Sequence, residues 1–353
     1  MRDLLVATRD LMAVPSVSRH EASLADQVEE SVRACPWLEV SRVGDNVVAR
    51  TGLGRSQRLV LAGHLDTVPP VDNADPRLEG DTVWGVGASD MKGGVAVMLD
   101  LATSVQEPAV DVTWCFYARE EIGRDENGLL ELWQQRPDLL AGDAAVLGEP
   151  TNALVEAGCQ GTMRVRLTLR GIRAHTARPF TGRNAIHRLA PVLARVAEWP
   201  GREVVLDGCT YAEQVQAVAI DGGVAGNVVP DEASLTLNHR YAPDRGRAEA
   251  EAFLHELLDP VLELDAGDTW ELVDASDGAP PSLDHPLLGA LVARSGVPPR
   301  AKVGWTDVAS FWEHGVPAAN FGPGDPLLAH HPDERVTAAA LDQARAVLGA
   351  VIG

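Results

Sequence analysis

The chain has 353 residues, and its 30 Lys and Arg against 51 Asp and Glu give a formal net charge of −21 at pH 7. Hydrophobic residues make up 45% and charged residues 23%, which excludes general disorder. A charge this negative argues against partners such as nucleic acid or an anionic membrane surface, because their phosphate groups would be repelled.

The first half of the chain alternates short apolar runs with helical patterns. Strands are predicted at 58–63, 110–117 and 144–147, and helices at 91–105 and 126–135. Asp90 stands where the N-cap of the first of these helices would lie. Strands that alternate with helices indicate an α/β domain around a largely parallel sheet.

The pattern changes near Gly161, where residues 162–169 alternate polar and apolar side chains, as a half-exposed antiparallel strand does. The segments that follow predict, in order, a helix at 183–198, strands at 214–220 and 233–241, a helix at 247–258 and a strand at 269–273. This order of elements is ferredoxin-like.

The α/β rhythm resumes after Asp284, with short strands predicted at 301–303 and 318–321 and a final helix from Thr337. We therefore expect a discontinuous α/β domain formed by residues 1–160 and 280–353. A smaller α+β domain, residues 161–279, is inserted into it.

The candidates for chemistry are histidines and carboxylates at the ends of predicted elements of the outer domain, namely His64, Asp66, Asp90, Glu120, Glu121, Glu149 and His330. Each one alone has an ordinary explanation, such as a helix cap or a solvated surface acid. Their coincidence matters, because ligand sites of α/β sheets gather beyond the carboxyl ends of the strands. A mixed set of His and carboxylates suits zinc or a similar divalent ion. The set contains more ligands than one catalytic zinc needs, and two metals that share one carboxylate would account for them.

Five segments resemble the M20 family of co-catalytic zinc amidohydrolases and occur in the family's order, at 64–69, 87–94, 120–121, 148–151 and 330–334. The resemblance spans nearly the whole chain. It implies a zinc-aminopeptidase-like catalytic domain with a mostly parallel central sheet at 1–160 and 280–353. It also implies a ferredoxin-like lid or dimerisation domain at 161–279, and hence a homodimer formed through that domain.

The resemblance further implies two Zn²⁺ ions per subunit, with Co²⁺ as a substitute. Asp90 would bridge the two ions, His64 and Glu149 would complete one site, and Glu121 and His330 would complete the other.

Catalytic roles follow from the same resemblance. Glu120 would be the general base, and Asp66 would orient the ring of His64. His175, in the inserted domain, is the candidate donor to the oxyanion. The neighbouring His331 has no role in this assignment and is expected to face solvent.

Within the family, the resemblance is strongest to actinobacterial succinyl-diaminopimelate desuccinylases, and segments 155–162, 226–230, 238–241 and 304–307 carry it. It implies a small anionic N-acyl amino acid as substrate, N-succinyl-L,L-2,6-diaminopimelate, hydrolysed for lysine and cell-wall precursor synthesis. Local cations must hold such a substrate on an acidic protein, and the expected contacts are Arg178, Arg240, Asn227 and Thr306.

One departure concerns residues 159–160, which read Cys-Gln where proteobacterial desuccinylases carry an arginine pair. The alternatives are acetylornithine deacetylase, another N-acyl-amino-acid deacylase and a small-peptide carboxypeptidase of the same family, because all use the same ligands. A non-catalytic relative would have lost a ligand or the base, and here all six positions are filled.

The expected location is the cytoplasm. The first residues show no secretory signal, and no run of 18 apolar residues occurs. The four cysteines are far apart and predict reduced thiols rather than a disulfide framework.

Overall fold

The computed structural model describes residues 3–353 and divides into two compact units. The larger unit contains the residues up to Gly158, together with 281–301 and 306–353. The smaller unit contains 159–280 and the short segment 302–305.

The helices are α1 (Leu4–Met12), α2 (Ala22–Arg33), α3 (Gly93–Ser104), α4 (Gly128–Gln135), α5 (Pro137–Leu140), α6 (Ala185–Glu198), α7 (Arg247–Leu258), α8 (Pro286–Ser295), α9 (Val308–Glu313) and α10 (Ala338–Ile352). The strands are β1 (Glu39–Val43), β2 (Asn46–Arg50), β3 (Arg58–His64), β4 (Arg77–Glu79), β5 (Thr82–Trp84), β6 (Asp111–Tyr117), β7 (Ala144–Leu147), β8 (Glu156–Ala157), β9 (Gly161–Arg170), β10 (Ala174–His175), β11 (Glu203–Leu206), β12 (Cys209–Ala212), β13 (Gln214–Gly222), β14 (Val228–Val229), β15 (Glu232–Tyr241), β16 (Thr269–Ser276), β17 (Arg300–Ala301), β18 (Ala318–Asn320) and β19 (Arg335–Thr337).

The larger unit is built on an eight-stranded sheet in the order β1-β2-β6-β3-β7-β18-β8-β17. Its centre is parallel, because β3 pairs in parallel with both β6 and β7, and β7 pairs in parallel with β18. These central strands are buried almost along their whole length, as strands covered on both faces are. The predicted α/β class with a mostly parallel sheet is confirmed.

Helix α3 lies at the centre of the larger unit's core. Ten of its twelve residues are buried, and α1, α2 and α10 all contact it. A helix that is apolar all round has no solvent face, so it must be enclosed by other elements. Its N-terminus therefore lies inside the unit, close to the loop that carries Asp90.

The smaller unit has a four-stranded antiparallel sheet in the order β13-β15-β9-β16. Along β9 and β15, buried residues alternate with more exposed ones, which leaves one face of the sheet apolar. That face packs with α6 and α7 into a separate core. The predicted ferredoxin-like order is confirmed, and a β11–β12 hairpin that the sequence pattern did not indicate is added to it.

Two local predictions were wrong. Asp90 is not a helix cap, because α3 begins at Gly93 and Asp90 has φ −121° and ψ 94° in an irregular segment before it. The strand predicted at 301–303 is present only as Arg300–Ala301, and the side chain of Val303 is exposed.

The four cysteines are free and buried. None of the helices within residues 3–353 has both the length and the apolar character needed to cross a bilayer.

Candidate active site

The candidate site begins at the carboxyl ends of three neighbouring parallel strands of the larger unit. His64 is the last residue of β3, Glu120 and Glu121 follow β6, and Glu149 follows β7. Because β6, β3 and β7 are adjacent and parallel, these ends meet at one edge of the sheet.

Asp90 lies between two histidines of this edge. Its Oδ1 is 3.1 Å from Nε2 of His64, and its Oδ2 is 3.6 Å from Nε2 of His330. The same His330 nitrogen is 2.9 Å from Oε1 of Glu121. Each oxygen of the Asp90 carboxylate therefore faces a different ring, which is the arrangement of a bridging ligand.

Asp66 joins the ends of β3 and β6. Its Oδ1 accepts a hydrogen bond from the backbone N–H of Glu120, and its Oδ2 accepts one from the N–H of Glu121, both at 3.0 Å. Ser18 donates its hydroxyl to Oδ2 at 2.7 Å. The Asp66 carboxylate thus fixes the backbone of both glutamates.

Asp66 also orients His64. Nδ1 of the His64 ring is 3.0 Å from the backbone oxygen of Asp66 and 3.4 Å from its Oδ1. This contact of Nδ1 fixes the ring with Nε2 facing Asp90, so that a neutral His64 would offer Nε2 to a metal ion. Burial opposes ionisation of Asp66, but the hydrogen bonds with His64 and Ser18 prevail and lower its pKa to about 2.

The Glu149 loop is positioned by close backbone packing. A Cβ atom at Gly94 or at Gly322 would overlap the carbonyl oxygen of Gly148, the residue before Glu149. Two glycines are therefore needed where the start of α3 and the segment after β18 approach this loop.

The loop that carries His330 also contacts the backbone at Asp90. Oε1 of Glu334 accepts hydrogen bonds from the N–H groups of Ser89 and Asp90, both at 2.9 Å. The Asp90–Met91 peptide bond is cis.

Three overlapping groups of these side chains bring ligand atoms within 4.8 Å of one another: His64, Asp90 and Glu149; Asp90, Glu121 and His330; and His64, Glu120 and Glu121. Imidazole nitrogens and carboxylate oxygens are donors that zinc accepts. Asp90 belongs to two of the groups, so the donor set fits a pair of divalent ions that share one carboxylate.

The pKa shifts in the site reflect the high density of carboxylates there. Burial lowers the pKa of His64, but hydrogen bonds to Asp66 and Asp90 outweigh it and the pKa lies well above its ordinary value. A hydrogen bond to Glu121 raises the pKa of His330 to about 9. Burial, with the nearby carboxylate of Glu149, raises the pKa of Glu120. Divalent cations would neutralise this charge.

Thr306 and His331 also lie in the larger unit. Thr306 is buried, and its hydroxyl donates to Oδ1 of Asn320 at 3.0 Å. His331 is half exposed, and its Nδ1 accepts from the N–H of Asp333 at 3.1 Å.

The remaining predicted residues lie in the smaller unit. His175 is in β10 and Asn227 directly precedes β14, and the two strands pair, so these two residues lie on neighbouring segments. Nδ1 of the exposed His175 accepts from the N–H of Ala177 at 3.0 Å, which leaves Nε2 as the donor. Arg178 is exposed, and Arg240 is half-buried on β15.

Sequence reasoning missed two side chains that hold the site. Glu334 stands inside a motif that was noticed, but only His330 of that motif was given a role. Glu21 is completely buried, and its Oε1 accepts from the N–H of Arg119, a non-glycine residue with φ +61° directly before Glu120. Nothing in the sequence around Glu21 distinguishes it from a surface acid.

The chain is similar to known proteins in sequence and in fold. The family model described as peptidase family M20/M25/M40 matches residues 60–353. A protein of Mycobacterium tuberculosis (strain CDC 1551 / Oshkosh), provisionally named succinyl-diaminopimelate desuccinylase DapE, is 50% identical over 352 residues, which is 98% of each chain. The succinyl-diaminopimelate desuccinylase of Corynebacterium glutamicum is 42% identical over 355 residues, covering 98% of this chain and 95% of that one.

Among solved structures, the aminopeptidase PepT of Bacillus cereus ATCC 10987 superposes with a TM-score of 0.80 at 16% identity, covering 99% of this chain and 97% of its own. At that identity the likeness shows the fold alone.

Proposed function

Because the chain belongs to the peptidase family M20/M25/M40, we propose that it is a metal-dependent hydrolase that cleaves N-succinyl-L,L-2,6-diaminopimelate. Water adds across the amide bond, and the products are succinate and L,L-diaminopimelate, a precursor of lysine and of the cell wall. The single observation that carries this proposal is the shared position of Asp90 between the His64 and His330 groups, within a chain 42–50% identical to named desuccinylases.

We assign one metal site to His64, Asp90 and Glu149 and the other to Asp90, Glu121 and His330, each group having its ligand atoms within 4.8 Å. Zinc is the proposed ion, with Co²⁺ as a working substitute. When bound, two such ions polarise the scissile carbonyl and make water a better nucleophile near neutral pH.

Glu120 is the proposed general base. Its backbone N–H is fixed by Asp66 at 3.0 Å, so its carboxylate is held at the edge of the ligand groups. It takes a proton from the attacking water and returns a proton to the nitrogen of the leaving amine, which a carboxylate within hydrogen-bond reach can do.

His175 is the proposed donor to the oxyanion that forms when water attacks. Its Nδ1 accepts from the backbone, so Nε2–H is free to donate to substrate.

The substrate carries three carboxylates, and Arg178 and Arg240 are the proposed cations that bind them, with Asn227 and Thr306 as neutral contacts. Cys159 and Gln160 cannot supply charge. Both are buried, and Gln160 donates its amide to the carbonyl of Ala212 at 2.9 Å. Recognition of the substrate carboxylates therefore depends on arginines at positions other than 159 and 160.

We further propose a homodimer formed through the smaller unit. Strand β13 is an edge of its sheet, and Val218 and Ile220 on that strand are 55% and 59% exposed. Ile186 of α6, also exposed, lies beside Gly222 at the end of β13. An unpaired edge that displays apolar side chains is suited to pairing with a second copy.

The test of function is metal-dependent hydrolysis by apo protein reloaded with zinc. N-succinyl-L,L-diaminopimelate and N-acetylornithine are compared at equal concentrations. We expect zinc-dependent release of succinate, with the succinyl substrate strongly preferred. Zinc-dependent cleavage of the acetyl substrate alone would reassign the chain to acetylornithine deacetylation. No hydrolysis of either substrate would contradict the proposal.

A further inference from the structure

Glu334 is a buried carboxylate that the proposed chemistry does not use. It lies four residues after His330, and only 1% of it is exposed. The neighbouring His331 and Asp333 have side chains that are 53% and 72% exposed. Glu334 therefore turns inward from a loop whose other charged groups face solvent.

The carboxylate of Glu334 is surrounded by backbone donors. Its Oε1 accepts from the N–H groups of Ser89 and Asp90 at 2.9 Å each. Hydrogen bonds from backbone N–H groups to an ionised carboxylate are stronger than those between neutral groups.

Further bonds tie the same two segments together. The backbone oxygen of Glu334 accepts from the N–H of Gly85 at 2.9 Å. The hydroxyl of Ser89 donates to the backbone oxygen of Arg335 at 2.8 Å and accepts from the N–H of Asp325 at 3.2 Å. The loop before Asp90 and the loop around His330 are thus one hydrogen-bonded unit with Glu334 at its centre.

Glu334 interacts electrostatically with a buried lysine. Lys92 is buried, with 2% exposed, and its ammonium group attracts the Glu334 carboxylate. Nζ of Lys92 donates to the backbone oxygen of Val14 at 2.9 Å, which keeps the ammonium in place. Burial nonetheless raises the pKa of Glu334 to about 7, although the hydrogen bond from the N–H of Asp90 acts in the opposite direction.

We propose that Glu334 is a positioning residue that holds the Asp90 carboxylate between His64 and His330. It acts through the backbone N–H groups of Ser89 and Asp90, and it does not touch the reacting atoms. This inference rests on the proposed function, because it assigns Asp90 the bridging position.

Two substitutions at Glu334 would affect the hydrogen bonds to Ser89 and Asp90 differently. Glu334→Ala leaves two buried N–H groups without their acceptor, so the Asp90 backbone must shift or take up water. Glu334→Gln keeps the length of the side chain but loses its charge. It also places an amide NH₂ where the carboxylate had a second acceptor oxygen, so Ser89 and Asp90 can still donate to the remaining oxygen, but to a neutral and weaker acceptor.

The test uses the full-length variants Glu334→Ala and Glu334→Gln, with the exposed neighbour changed in Asp333→Asn as the matched control. Three measurements are made: amide hydrogen exchange of Ser89 and Asp90 in the apo protein, Co²⁺ affinity with the visible spectrum of the Co²⁺ protein, and kcat with KM.

For Glu334→Ala we expect exchange at Ser89 and Asp90 to be at least about tenfold faster, and Co²⁺ affinity to fall about 10–100-fold with an altered spectrum. We expect kcat to fall while KM stays within about threefold, because substrate contacts are untouched. Glu334→Gln should lie between Glu334→Ala and the unchanged protein, and Asp333→Asn should match the unchanged protein.

Unchanged exchange at both amides, with an unchanged Co²⁺ spectrum and affinity, in a folded Glu334→Ala protein would overturn the proposal. If that variant does not fold, the same result in Glu334→Leu, which removes both acceptor oxygens but retains side-chain volume, overturns it. A failed desuccinylase assay with the unchanged chain would contradict the proposed function instead, and the exchange measurement, which needs neither metal nor substrate, separates the two failures.

Discussion

In the larger unit, His64, Asp66 and Glu149 are almost completely buried, and hydrogen bonds from distant parts of the chain fix their surroundings. In the smaller unit, His175, Arg178 and Asn227 are exposed and lie on short segments around β10 and β14. The first group is organised before any substrate arrives, as its proposed part in holding metal requires. The second group is organised only locally, as suits residues that meet a ligand.

This comparison predicts that substitutions in the two units have different effects on metal binding and on turnover. Loss of a buried group should disturb metal binding or chemistry. Loss of one of the exposed groups of the smaller unit should leave the proposed metal centre intact.

The largest effect is expected at Glu120. Glu120→Ala should keep two bound metals and lose about 10³-fold in kcat, because the group that moves the proton is gone. Glu121→Ala, its matched neighbour, should lose one metal. Metal content by mass spectrometry and turnover of the succinyl substrate measure both. If Glu120→Ala loses metal and Glu121→Ala does not, the two roles are reversed.

The next effect is expected at His175. His175→Ala should reduce kcat about 10²-fold, since one oxyanion donor is removed, while metal content and dimerisation stay unchanged. Steady-state kinetics and analytical ultracentrifugation measure these quantities. His187→Ala, on the exposed face of α6, is the control. Turnover equal to that control would remove His175 from the mechanism.

A smaller loss is expected at Asp66. Asp66→Asn cannot accept from both Glu120 and Glu121, because one of its oxygens becomes an NH₂ group. We expect metal affinity to fall about tenfold, measured by chelator competition. Asp10→Asn, at an exposed surface position, serves as the control. Unchanged metal affinity in Asp66→Asn would show that the hydrogen bonds from the Glu120 and Glu121 backbone to Asp66 are not needed for metal binding.

The last expected effect is a pH dependence of stability that is confined to the smaller unit. His239 is completely buried, and burial together with the positive charges of Arg245 and Arg202 lowers its pKa to about 3. The unfolded chain binds a proton at this residue below about pH 6.5. Between pH 6.5 and about 3 the unfolded state therefore holds more protons, and the free energy of unfolding falls as the pH falls.

From pH 7 to pH 5 we expect this residue to cost the smaller unit about 2 kcal/mol of stability. Hydrogen exchange of β15 amides in the apo protein measures it. His239→Asn should flatten the pH dependence by that amount, whereas His187→Asn, at an exposed histidine of the same unit, should not. Equal slopes in the unchanged protein and His239→Asn would contradict the assigned pKa.

Sequence patterns predicted the sheet classes of both units because periodicity is local. Alternation along β9 and β15 and apolar runs in β3 and β6 are visible within ten residues. They also predicted that His64, Glu120 and Glu149 would be neighbours, since each follows a strand of one parallel sheet. The resemblance to a known family added the assignment of roles, which the residues alone left open.

Only the tertiary structure showed what holds those residues in place. Asp66 bonds to the backbone of Glu120, 54 positions away, and Glu334 bonds to the backbone of Asp90, 244 positions away. Asp90 itself was expected to cap a helix, and instead it lies outside α3 with its two oxygens toward two histidines. Such contacts join segments far apart in the chain through backbone N–H groups that every residue type offers, so no local pattern of side chains encodes them.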